Sequence, residues 1–130
     1  MNDPKKAKKW LERAKSNLAL ANIGKASDYI VYEDLCFDAQ QAVEKGLKAL
    51  CIFNGIVFPK THDISFIISL LEHSQIHIPD FVKEAKILTD YSVETRYPGD
   101  FEPVTEEEYS SVIKIANDTL LWIEKIIIAD

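Results

Sequence analysis

An all-α fold, an up-and-down antiparallel bundle of four main helices plus one shorter helix, is what the sequence predicts. Apolar residues recur at three- and four-residue spacing in five segments, Gly, Pro and Asn punctuate the joins, and no segment alternates with the period of two that a strand needs. At 130 residues, 47% of them hydrophobic, the chain suits one domain over residues 1–130 with enough apolar mass for a single core.

Asp3 is placed to cap a first helix with Pro4 at its first position, and Trp10, Leu11, Ala14, Leu18 and Ala21 form its apolar stripe until Gly24 ends it. After a turn at Ser27 and Asp28, a long second helix runs from about Tyr32 to Phe53 and closes at Asn54 and Gly55, with Pro59 in the following loop. The third, from about Asp63 to His73, carries Ile64, Phe66, Ile67, Leu70 and Leu71. Asp80 is placed to cap a fourth with the stripe Phe81, Ala85, Leu88 and Tyr91, which Pro98 and Gly99 stop. Thr105 and Glu108 have capping-box spacing, and a fifth helix follows on Val112, Ile113, Ala116, Leu120, Ile123, Ile126 and Ile127. Trp122 and Ile128 give this last helix more apolar surface than one stripe needs, so a second buried contact, most economically a two-fold homodimer, is expected.

The formal charge of −6 is unlike that of a generic nucleic-acid binder. Its distribution is uneven. Residues 90–108 hold seven acids and one base, Arg96, whereas Lys5, Lys6, Lys8, Lys9, Arg13 and Lys15 cluster on the first helix. That cluster is either a solvated face or a patch for phosphate or a partner. No apolar run approaches the roughly 20 residues of a membrane span, and Glu12, Arg13, Lys15 and Asn17 break up any apolar segment after the Lys-rich start, so a cytoplasmic protein is expected. Cys36 and Cys51 stand about 22 Å apart along one helix, which predicts two reduced thiols.

The second helix is the most informative. Leu35, Ala39, Ala42, Gly46, Ala49 and Phe53 share one side with Val43, Leu47 and Leu50, and the small residues among them invite close approach of another helix. Asp34, Asp38, Gln41, Lys45 and Lys48 form the opposite stripe, edged by Gln40 and Glu44. Such a stripe is either a solvated face with local pairs like Glu44 to Lys48, or a row of donors and cations lining a cleft for phosphate.

The run from Ala39 to Leu50, then Thr61-His62-Asp63-Ile64, then Arg96-Tyr97-Pro98, resembles the HEPN domain family across nearly the whole chain. The resemblance implies a bundle of four to five helices that dimerises, is often encoded beside a minimal nucleotidyltransferase, and binds nucleotide or RNA. In toxin members of the wider family, an Arg followed after four to six intervening residues by His forms a metal-independent ribonuclease site at the dimer cleft. Here the positions where such a His would stand hold Phe101, Glu102 and Pro103, and no His follows His77. Arg96 can stabilise a phosphate but cannot serve as the base that RNA cleavage near neutral pH requires.

The candidate ligand-binding residues are therefore Gln41, Lys45, Lys48, His62, Arg96 and Tyr97, expected to converge on one cleft. Each has a bland reading beside it: Arg96 pairs with Asp38 or another carboxylate, His62 caps the third helix, and Tyr97 packs to end a helix before Pro98. His73 and His77 have metal-ligand spacing but straddle a helix end without a third ligand, and no cofactor or metal is expected. The function this supports is a homodimeric, non-catalytic module that binds a nucleotide or a nucleotidyltransferase partner. The alternatives are a ribonuclease toxin with an altered site built on Arg96 and His62, and a purely structural interaction domain.

Overall fold

The computed structural model describes residues 2–92 and 102–128, and every regular element among them is helical. Helix α1 spans Pro4–Ala21, with the Asp3 carboxylate accepting the Lys6 N–H at 3.0 Å as its cap. Helix α2 is Tyr32–Phe53 and turns off at Gly55, whose φ of +71° glycine adopts without strain. Helix α3 is Ile64–His73, capped by the Asp63 carboxylate. Helix α4 (Asp80–Lys83) runs on as a 3₁₀ helix over Glu84–Tyr91, and α5 covers Glu106–Ile128, where Thr105 Oγ1 accepts the Glu108 N–H at 3.0 Å.

Contacts between the ends set the directions. The N–H of Asp3 donates to the Ile52 carbonyl while Asn17 meets Asp38, so α1 and α2 are antiparallel. Lys15 meets Glu124 while Asn22 meets Asn117, so α1 and α5 are antiparallel too. Glu33 accepts the Val104 N–H just ahead of α5 and Gly46 lies against Leu120 and Ile123, which leaves α2 and α5 parallel. Helix α2 packs against both of the other long helices, α1 and α5, in an all-helical bundle. At Gly46, α2 and α5 are closely packed: a Cβ there would sit 3.0 Å from Ile123 Cδ1 and 3.1 Å from Leu120 Cδ1. Leu47, Leu50, Ile64, Ile67, Leu71, Leu88, Ile123 and Ile127 complete the buried core.

The fourth segment departs from expectation. Its N-cap position is Pro79, without a side-chain hydrogen bond, and Asp80 lies inside the first turn. Val82, Ala85 and Leu88 are buried and Tyr91 half-buried, while Phe81, expected in the core, is 44% exposed. The inward residues repeat every three positions. A helix wound at three residues per turn stacks such a repeat on one line, whereas 3.6 per turn would scatter it. Phe66, also expected in the α3 stripe, is turned outward, and Ile68 is buried in the same helix.

Neither Cys36 nor Cys51 forms a disulfide, and both are buried. Burial pushes the Cys51 thiol up to about 12, so it is no nucleophile near neutral pH. No described helix is long and apolar enough to cross a membrane.

Candidate functional site

The polar edge of α2 divides into two neighbouring arrangements. The first is a buried network. Glu44, only 4% exposed, accepts from Lys48 Nζ at 2.9 Å, from Gln40 Nε2 at 3.0 Å and from His62 Nδ1 at 2.8 Å. Lys48 Nζ also donates to the Thr61 carbonyl at 2.7 Å, Gln40 Nε2 to the His62 carbonyl at 3.3 Å, and Gln41 Nε2 to Gln40 Oε1 at 2.7 Å. The helix thereby grips the loop that leads into α3. Burial alone would push the Glu44 carboxyl up, but hydrogen bonds from Lys48, Gln40 and His62 and the Lys48 charge outweigh it and hold it below its ordinary value.

Gln40, Glu44 and Lys48 are thus neither a solvated face nor a row presented to a cleft. They are buried because the 61–62 backbone lies over them and offers carbonyls as partners. His62 keeps most of its side chain exposed while its Nδ1 is taken by Glu44.

The second arrangement lies one turn around the helix. Lys9, Trp10 and Arg13 of α1 and Lys45 of α2 line a hollow of about 370 Å³. Lys45 Nζ donates to Asn17 Oδ1 at 2.7 Å, and Asn17 in turn donates to Asp38 at 3.2 Å. Desolvation and the nearby Arg13 charge push the Lys45 ammonium below its ordinary value, against weaker opposing pulls from Glu44 and Asp38. Trp10, expected as core, is half-buried and forms one wall, with its ring edge-to-face on Phe58 at 6.0 Å between centroids. Lys48 Nζ stands 5.7 Å from the Phe58 ring, so the hollow and the buried network meet through Phe58.

Of the residues expected to converge, Gln41, Lys48 and His62 belong to the network and Lys45 to the hollow, while Arg96 and Tyr97 lie outside the described residues. Lys9 and Arg13 were visible only as members of the basic cluster. The signal that could have singled them out is their four-residue spacing, which puts both on one face beside Trp10. His73 Nδ1 donates to the Ser69 carbonyl at 2.7 Å, and α3 ends at that residue, so His77 is not on the same helical face.

The chain is 29% identical over 132 residues to "Putative toxin MJ1304" of Methanocaldococcus jannaschii, an alignment covering 89% of this chain and 84% of that protein. In three dimensions it is similar to TT1696 from Thermus thermophilus, with a TM-score of 0.76, 33% identity and coverage of 96% and 98% of the two chains. It is also similar to ST0689, an archaeal HEPN homologue, with a TM-score of 0.72, 27% identity and coverage of 93% and 97%. The profile of the HEPN domain matches residues 7–126, nearly the whole sequence, and the chain belongs to the HEPN domain family.

Proposed function

We propose that this chain is a homodimeric, non-catalytic binding module of the cytoplasm that takes a nucleotide, or a nucleotide-bearing partner such as a minimal nucleotidyltransferase, in the hollow between α1 and α2. The observation that carries this reading is the convergence of Lys9, Arg13 and Lys45 beside Trp10, with no acid among the described lining residues. In a chain of net charge −6 such a concavity is a local reversal of sign that draws anions in. Losing one hydrogen bond to a charged group costs about 1.5–3 kcal/mol. Isothermal titration with ATP should therefore show Kd rising at least about tenfold in Arg13→Ala or Lys45→Ala. Unchanged affinity in both variants would exclude the hollow.

The dimer reading rests on α5. Phe81, Asp118, Leu121, Trp122 and Lys125 surround a second hollow of about 270 Å³, and Leu121 is 52% exposed at its edge. A two-fold axis passing near Leu121 and Trp122 would set Asp118 against Lys125 of the partner subunit and repeat the same contact in reverse. Light scattering should find a dimer that Leu121→Asp converts to monomer; a wild-type monomer at tens of micromolar would reject this interface.

A ribonuclease toxin is the second reading, favoured by the relative whose name describes a toxin. Incubation with tRNA and single-stranded RNA separates the two. Cleavage that Arg96→Ala abolishes would establish the enzyme, and intact RNA alongside measurable binding would support the module.

A further inference from the structure

We propose that the hollow between α1 and α2 is a phosphomonoester site: it selects a terminal, doubly charged phosphate carried on a planar group over the singly charged phosphodiester of a nucleic-acid backbone. The inference rests on the binding reading above and narrows its ligand.

Charge count is the first support. Three cationic side chains face one concavity and, among the described residues, Lys9, Arg13 and Lys45 form no ion pair with a carboxylate. Lys48, which meets the hollow only through Phe58, shows the contrast, because Glu44 neutralises it directly. A phosphomonoester carries close to two negative charges at neutral pH, whereas an internal diester carries one. The monoester therefore gains more from a site whose cations repel one another when it is empty.

Donor geometry is the second. Lys45 gives one hydrogen to the neutral oxygen of Asn17, which fixes the ammonium at the rim and leaves two further N–H groups. Arg13 adds a planar fork that can grip two oxygens of the same phosphate. A terminal phosphate has three such oxygens free of ester links; a diester has two.

Shape is the third. About 370 Å³ is at the small end of the ~300–1,000 Å³ typical of small-molecule sites, and the indole of Trp10 supplies a flat apolar wall for a base. The hollow suits one nucleotide or one chain end. Free nucleotides and 5′-phosphorylated RNA ends share that chemistry.

The test is isothermal titration of the wild-type protein with AMP, 3′,5′-cyclic AMP, adenosine, and a ten-nucleotide RNA with either a 5′-phosphate or a 5′-hydroxyl. AMP should bind at least tenfold tighter than cyclic AMP, with adenosine weaker still, and Arg13→Ala should reduce the AMP preference to less than threefold while keeping the wild-type melting temperature. A matching preference for the 5′-phosphorylated RNA points to chain ends as the source, and a preference confined to AMP points to the free nucleotide; both sustain the proposal. Equal affinity for AMP and cyclic AMP would overturn the monoester selection and leave the binding reading standing. No binding of any probe would overturn both.

Discussion

Replacing Glu44 with alanine is expected to cost about 3–5 kcal/mol and to lower Tm by on the order of 15 °C, among the largest losses available from a polar position in this chain. The carboxylate is almost wholly buried and serves three donors, Lys48, Gln40 and His62. Without it the Lys48 ammonium, with a side chain only 9% exposed, keeps the Thr61 carbonyl and the Phe58 ring but no counter-charge. The penalty is that of an uncompensated charge and not of a missing contact, which yields a second expectation: Lys48→Met in the Glu44→Ala background should recover much of the loss. A double variant no more stable than the single would show that the cost comes from the packing of the Glu44 stem.

The same carboxylate gives an acid limb to stability. Its folded value lies below its ordinary 4.5, so the unfolded chain takes up the proton first and stability falls as pH drops below about 4.5 towards the folded value. Glu44→Gln should flatten that limb in denaturant titrations between pH 3 and 5, whatever it does to stability at neutrality.

The second large effect is expected at Gly46. A leucine there drives a full side chain into the place where α2 and α5 meet, against Ile123 and Leu120, and should cost about 3 kcal/mol by overpacking. Alanine is a different case. Its Cβ asks only that the Cδ1 tips of two flexible side chains give by a few tenths of an ångström, and it gains about 1 kcal/mol of helix propensity. Gly46→Ala should therefore stay within about 1 kcal/mol of wild type. A leucine variant that melts with the wild type would show that the two helices are not held at this spacing.

Helices α1, α2, α3 and α5 were legible because their signals are local: Asp3 ahead of Pro4, Thr105 three residues before Glu108, Asn54-Gly55 closing a 22-residue run. The close approach at Gly46 was legible from the line of small residues around it. The inward turn of Gln40, Glu44 and Lys48 was not, because their partners stand 13 to 22 residues further on and are partly backbone carbonyls, which composition cannot advertise. The hollow was half-legible: Lys45 stood out, but Lys9 and Arg13 looked like any solvated basic residues and Trp10 like core, and only the docking of α1 on α2 gathers them. The fourth segment misled through its period, since Val82, Ala85 and Leu88 fit three per turn and Phe81, Ala85 and Leu88 fit 3.6 equally well on paper.

That segment also reverses a common engineering rule. At about 2.0 Å per residue the eight residues of Glu84–Tyr91 reach about 16 Å, where an α-helix would reach about 12 Å. Rewinding it would retract Tyr91 by roughly one residue's worth of extended chain and pull its hydroxyl off Glu108, while swinging Val82, Ala85 and Leu88 out of alignment. Surface changes chosen to strengthen α-helix formation, which fortify most proteins, should loosen this one if introduced at Lys86, Ile87 or Asp90.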